Sequence, residues 1–206
     1  MNKKVPILYK IGKIVISPIF KLYYNPKSIG HDKIPKEGPI LIVGNHKHLF
    51  DQFLTITKTK RGIHYMAKKE YFDSKKTRWL FKHLGCISVD RSKKDEEATK
   101  KALEVLNDGG AIGLFPEGTR NKTKEFLLPF KYGTVSLAKK TGATIIPFGI
   151  TGTYKFRSKD LTIRYGTPFK VEDMSLEEAN QKLYNEVKRL MKTSLKSKKS
   201  SGVNEN

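Results

Sequence analysis

The chain holds a single cysteine, Cys86, in 206 residues, which excludes an internal disulfide and a cysteine-built zinc cage. A reducing compartment fits, and the apolar surroundings GCISV suit a buried thiol better than a nucleophile. Acidic residues are few as well: 20 Asp and Glu stand against 41 Lys and Arg, for a formal net charge of +21. Such a surplus speaks about partners rather than fold. Nucleic acid, an anionic membrane surface and an acidic carrier all fit, as does a genomic bias toward lysine. There is no uninterrupted apolar run of about 20 residues to span a bilayer. There is also no Gly-rich loop ending in Lys-Ser or Lys-Thr, and no G-x-S-x-G elbow, which sets aside P-loop chemistry and the serine hydrolases of that type.

What is present begins with an ambiguous leader. MNKK followed by VPILYKIGKIVISPIF has the outline of a secretory signal, but Lys10 and Lys13 interrupt it and no small-residue cleavage site follows. Read as a helix, it gathers Ile7, Leu8, Ile11, Ile14 and Val15 on one side. That is the pattern of a helix lying in a membrane interface, with Lys3, Lys4, Lys10, Lys13 and Lys21 meeting anionic head groups. An ordinary amphipathic helix packed on its own domain is the alternative. Residues 1–30 are accordingly read as a membrane-associating segment, 31–195 as one domain, and the Lys- and Ser-rich 196–206 as a disordered basic tail.

From Pro39 onward apolar runs alternate with helical stretches. PILIVGN, IHYMAK, CISVD, AIGLFPEG, TIIPFGITG and LTIRYG read as buried strands. One helix is expected after Ser92, with Asp95 as its capping-box partner and Ala98, Ala102, Val105 and Leu106 on one face, stopping at Asn107–Gly110. Another runs through VSLAKK to Gly142. A third starts at Ser175, capped by Glu178, and presents Ala179, Leu183, Val187 and Leu190. The alternation predicts a single α/β domain, its largely parallel or mixed central sheet flanked by helices and preceded by the amphipathic interface helix. In such sheets ligands collect where the strands end.

Three of those strand ends carry chemistry. The first is Asn45-His46-Lys47-His48-Leu49-Phe50-Asp51. On one continuous helix His46 and Asp51 would lie about 140° apart, so they meet only if His46 sits in a turn and Asp51 folds back from the first helical turn. The carboxylate would then hold one imidazole nitrogen and leave the other free as a base. With no Ser or Cys nucleophile nearby, that implies direct activation of a substrate hydroxyl. The rival reading makes His46, His48 and Asp51 the start of a zinc site, but His64 and His83, the candidates to complete it, lie in apolar or basic stretches without carboxylate company. The second end is Phe115-Pro116-Glu117-Gly118-Thr119-Arg120-Asn121. Here Gly118 allows close backbone approach, Arg120 offers a planar fork for phosphate, and Glu117 can orient a hydroxyl or hold that Arg. The third, Val89-Asp90-Arg91, adds another Arg.

Four ordered blocks then resemble the glycerophospholipid acyltransferase family. They are N-H-x-x-x-x-D at 45–51, G-x-I-x-V-D-R at 85–91, F-P-E-G-T-R at 115–120 and I-I-P-F at 145–148. Ala67-Lys68-Lys69-Glu70 resembles an intervening block. The third block looks most like the 1-acylglycerol-3-phosphate acyltransferases, except that Asn121 stands where that group commonly has Ser. The resemblance implies that His46 is the base and Asp51 its orienting partner. It implies that Arg91, Glu117, Gly118, Thr119 and Arg120, with Lys68, hold the glycerol phosphate, and that Pro147 shapes the acyl or thioester side. The implied reaction moves a fatty acyl group from acyl-CoA or acyl-carrier protein to lysophosphatidic acid, giving phosphatidic acid. It needs no metal or other cofactor and no nucleic acid. The implied place is peripheral, on the cytoplasmic face of the cell membrane. Glycerol 3-phosphate or another lysophospholipid is the alternative acceptor. A basic, non-enzymatic nucleic-acid-binding protein is the alternative of another kind, and it would leave the His–Asp corner idle.

Overall fold

The computed structural model describes residues 6–201. Helix α1 (Ile7–Tyr24) leads into strand β1 (Lys27–Ile29), then β2 (Ile40–Gly44), α2 (Asp51–Ile56) and β3 (Ile63–Lys68). A 3₁₀ turn at Lys69–Phe72 precedes α3 (Lys75–His83), β4 (Ile87–Val89), α4 (Glu96–Asn107) and β5 (Ala111–Leu114). The chain ends with α5 (Gly133–Thr141), β6 (Thr144–Thr151), β7 (Thr162–Tyr165) and α6 (Leu176–Ser201).

The strands form one seven-stranded sheet in the order β1-β7-β6-β2-β5-β3-β4. Strands β2, β3, β4, β5 and β6 are mutually parallel, and β7 runs antiparallel to β6. The sheet is therefore mixed, with one parallel block whose five carboxyl ends share an edge. β2 and most of β6 are buried on both faces, which is why they read as continuous apolar runs without alternation. Pro147 sits within β6, and the β6–β7 ladder begins one residue later at Phe148, consistent with a residue that has no N–H to give.

Helices α4, α5 and α6 cover one face of the sheet through Ala102, Leu106, Val135, Leu183 and Val187. α1 and α2 cover the other, through Phe20 and Leu54 on Ile40, Ile42 and Ile63. The α6 cap forms as expected: Ser175 N–H donates to Glu178 Oε2 at 2.8 Å, and Glu178 N–H donates to Ser175 Oγ at 3.1 Å. α4 starts differently. Asp95 itself is the N-cap, accepting from Ala98 N–H at 2.9 Å, while Ser92 donates to Asp90.

Three placements differ from expectation. β1 is too short and polar to show a strand pattern, yet it pairs with β7, so the boundary drawn after residue 30 falls behind a strand of the sheet. α6 continues to Ser201, past the start of the anticipated tail; residues 202–206 lie outside the described part. α1 is neither wholly docked nor wholly free. Tyr9 and Phe20 are buried, and the Tyr9 hydroxyl accepts from Ile63 N–H at 3.1 Å, while Ile7, Ile14 and Leu22 stay exposed. Lys13 turns inward and donates to the Thr59 carbonyl, and burial lowers its pKa, so it does not join the outward lysines. Lys3 and Lys4 lie outside the described residues.

Candidate active site

All the chemistry-bearing corners lie on the carboxyl edge of the parallel block. Asn45 closes β2 by a pair of side-chain bonds to β6: its Nδ2 donates to the Ile150 carbonyl at 3.0 Å, and Oδ1 accepts from Ile150 N–H at 2.7 Å. Just before it, Gly44 is required by packing, because a Cβ there would sit 2.3 Å from the Phe148 ring. The chain then turns, and Asp51 begins α2 fully buried.

Asp51 Oδ2 accepts from His46 Nδ1 at 2.7 Å, from Lys47 N–H at 2.7 Å and from His48 N–H at 2.8 Å. Its other oxygen accepts the Tyr154 hydroxyl at 2.5 Å. One carboxylate thus folds the 46–51 turn around itself and fixes the imidazole tautomer. The proton sits on Nδ1, and Nε2 is left with its lone pair. The His46 ring also stacks on Phe115, with centroids 4.0 Å apart. Its side chain is 13% exposed, enough to meet a substrate and little enough to stay oriented.

Glu117 lines the cleft beside His46 and also braces backbone. Its Oε1 accepts from His46 N–H at 2.6 Å and its Oε2 from Leu128 N–H at 3.0 Å, tying the β5 corner to the β2 corner and to the following loop. Burial raises its pKa, against the pull of those two amides. The Asn121 N–H donates to the His46 carbonyl at 2.7 Å, so His46 is gripped at both ends of its backbone. Asn121 Oδ1 meanwhile accepts from Thr123, shaping the loop.

Arg91 reaches across from β4 to donate to the Gly118 carbonyl at 3.0 Å, where Gly118 has φ +72°. Arg120 lies close enough to His48 to lower its pKa, although burial is the larger cause. Among the described residues the Arg120 guanidinium has no hydrogen-bond or ion-pair partner. Thr119 is exposed at the tip of the same turn. Lys68 ends β3 on the same edge, half exposed and paired with Glu70. Pro147 is the outlier. It is buried inside β6, and its carbonyl accepts from Gly166 N–H at 2.8 Å. His48, the other half of the zinc alternative, stacks on Tyr154 with centroids 4.1 Å apart, and its Nδ1 accepts from Phe50 N–H at 3.3 Å.

Tyr154 is the site residue that sequence reasoning missed. Burial, with Asp51 beside it, drives its pKa far above the ordinary value, so it is a fixed neutral donor. The available signal was its place just past β6, the one strand end of the parallel block that had been given no role. A cleft of about 340 Å³ opens beside His46, with Asn121 and Lys124 at its lip and Phe126, Met191 and Leu195 along its apolar wall.

The site thus joins a His46–Asp51 pair built on a fully buried carboxylate with an unpartnered Arg120 near His48, all on the carboxyl edge of a mixed sheet. The chain belongs to the acyltransferase family, whose domain matches residues 25–151. It is similar to the 1-acyl-sn-glycerol-3-phosphate acyltransferase of Borreliella burgdorferi, 31% identical over 66% of this chain and 55% of that one. The Cocos nucifera enzyme of the same name is 32% identical over 76% of this chain and 54% of its own length. That of Bacillus subtilis is 28% identical over 70% and 72%. The match thus spans about half the length of the first two. The fold is that of the crystal structure of the 1-acyl-sn-glycerophosphate acyltransferase from Thermotoga maritima, with a TM-score of 0.74 over 93% of this chain and 80% of that one, at 23% identity.

Proposed function

We propose that the chain is a 1-acyl-sn-glycerol-3-phosphate O-acyltransferase that works at a membrane surface. The observation that carries this is the His46–Asp51 pair, bonded at 2.7 Å through Nδ1, beside the free guanidinium of Arg120. Arg120 and Arg91, with Lys68 and the backbone of Gly118 and Thr119, receive the phosphate and bring the free hydroxyl of lysophosphatidic acid to His46 Nε2. His46 takes that proton as the oxygen attacks the thioester carbonyl. The tetrahedral intermediate collapses with cleavage of the C–S bond, and the same proton passes to the departing thiolate. Asp51 stabilises the imidazolium in between. General-base help of this kind is worth about 10²–10⁴-fold.

Glu117 serves the reaction indirectly, by fixing the His46 backbone. The cleft beside His46 is polar at its lip and apolar along its wall, which suits the thioester arm and the first carbons of the acyl chain. The donor, acyl-CoA or acyl-carrier protein, is anionic in either case and meets a strongly basic surface. Attachment is peripheral, at the cytoplasmic face of an anionic membrane, through the exposed Ile7, Ile14 and Leu22 of α1. Among the described residues no helix is long and apolar enough to cross a membrane.

The test is a thiol-release assay in anionic vesicles, crossing both donors with lysophosphatidic acid, glycerol 3-phosphate and a neutral lysophospholipid. Thiol release with lysophosphatidic acid, lost in His46→Ala, is the expected result. A preference for glycerol 3-phosphate would move the acceptor assignment, and a His46→Ala variant that keeps a tenth of wild-type turnover would remove the base.

A further inference from the structure

Among the described residues, α3 is the one α-helix that buries no side chain. Trp79 is 56% exposed and Leu80 41% exposed. Tyr71, in the turn that leads into the helix, is exposed too and stacks on Phe81 with ring centroids 4.9 Å apart. Lys75, Lys76 and Lys82 stand exposed around these rings, and the helix KKTRWLFKH contains no acidic residue. Arg78, also exposed, donates to the Phe72 carbonyl at 2.6 Å, and the exposed Glu70 and Asp73 lie on either side of Tyr71, ahead of the helix.

An exposed apolar helix face whose own charges are all basic suits docking on an anionic surface. Trp carries an apolar body with one N–H, the combination that settles at a membrane–water interface. Long lysine stems can lie along the apolar surface while the ammonium groups reach outward to phosphates. A second copy of this face would bring lysines against lysines, so like charges oppose self-association through it.

The patch also continues another surface. α3 packs against α1. Pro6, at the start of α1, lies beside Gly85, whose added Cβ would come within 3.3 Å of the Pro6 ring. The open apolar side of α1, including Ile7 at 75% exposure, therefore begins next to the far end of α3.

We propose that α3 is a second lipid-docking element, with Trp79 and Leu80 entering the interface of an anionic bilayer and Lys75, Lys76 and Lys82 meeting its head-group phosphates. This rests on the peripheral-membrane assignment above and extends it from one helix to two. Two attachment points fix rotation as well as distance. Because α3 follows closely on Lys68, that rotation holds the carboxyl edge of the sheet toward the lipid, from which a lysophospholipid acceptor can reach His46.

Trp79 is the chain's single tryptophan, so its emission reports α3 and nothing else. The full chain is mixed with vesicles of phosphatidylcholine and phosphatidylglycerol, with and without phosphatidylcholine brominated near the head-group end of its chains, and co-sedimentation is followed in parallel. The expected result is co-sedimentation together with a blue shift and quenching by the shallow bromines. Trp79→Ala should weaken vesicle binding on the order of tenfold without moving the thermal midpoint, and Trp79→Phe much less. Co-sedimentation with unshifted, unquenched emission would overturn the role of α3 while leaving attachment through α1 intact. Failure of the wild-type chain to co-sediment would remove the membrane assignment itself, and α3 docking with it. Emission already blue-shifted in solution, with a doubled molecular mass, would assign the face to a second copy of the chain and refute the proposal.

Discussion

Replacing Asp51 by Asn isolates charge from shape at the centre of the site. The asparagine can keep its amide oxygen where Oδ2 now accepts from His46, Lys47 and His48 at 2.7–2.8 Å, because placing an NH₂ there would face three donors. The amide nitrogen then faces the Tyr154 hydroxyl, which can accept from it after turning its own proton away. Geometry is thus nearly preserved, and the main loss is the negative charge. When His46 becomes an imidazolium, the charge centres lie roughly 4 Å apart, worth about 4 kcal/mol at an effective dielectric of 20. At 1.36 kcal/mol per decade that amounts to about 10³-fold in turnover. Weakening the charge-assisted bonds and leaving the Tyr154 proton without its acceptor should also lower unfolding stability by about 1–3 kcal/mol. The assay is thiol release at saturating donor and acceptor, alongside urea or thermal unfolding of the same preparation. Turnover within threefold of wild type in a folded Asp51→Asn protein would refute the stabilised-imidazolium mechanism.

Four further outcomes follow from the same geometry. Tyr154→Phe removes the donor to Asp51 Oδ1 while keeping the ring that stacks on His48, so stability should fall by about 1–3 kcal/mol, with a smaller loss of turnover than in Asp51→Asn; calorimetry and initial rates check both, and a variant unchanged in either would assign the contact no role. Arg120→Lys keeps the charge and loses the fork, so KM for the phosphorylated acceptor should rise about tenfold and more than turnover falls; an unchanged KM would take Arg120 out of the phosphate site. His48 has its pKa lowered below 6.5, first by burial, so the folded state binds its proton less readily than the unfolded chain. Its contribution to stability is present above pH 6.5 and lost as the pH falls through the folded value, so unfolding midpoints measured between about pH 7 and pH 5 should fall less steeply in His48→Phe than in wild type. Replacing Ile7, Ile14 and Leu22 together by Ser leaves the buried Tyr9 and Phe20 in place, so co-sedimentation with anionic vesicles should drop while the thermal midpoint holds; activity on a short-chain soluble acceptor should survive, and unaltered co-sedimentation would free α1 from any lipid role.

Much was legible in the sequence because it is written locally. Apolar runs such as ILIVG and TIIPFGIT announce strands covered on both faces, and Ser175 with Glu178 announces a helix start within four residues. The His46–Asp51 pair belongs to the same class: five residues of chain, a strand end and a helix start are enough to bring it together. Other features had no local trace. Tyr154 lies 103 positions from Asp51 and arrives there only because β6 lies beside β2 in parallel register. Glu117 reads in isolation as a ligand for an Arg or a hydroxyl, and only the adjacency of β5 and β2 gives its two oxygens to backbone amides of other segments. Lys13 reads from the sequence as one more lysine facing head groups, but docking of α1 through Tyr9 and Phe20 turns it toward Thr59. α3 offers no core-facing apolar stripe in KKTRWLFKH, because none of its side chains is buried. Sequence determines what one turn of helix or one strand can satisfy for itself, including the residue types at each strand end. Which strand ends become neighbours, and so which polar atoms are used up and which left free for a substrate, is decided by tertiary packing, because those bonds form between groups that no local periodicity relates.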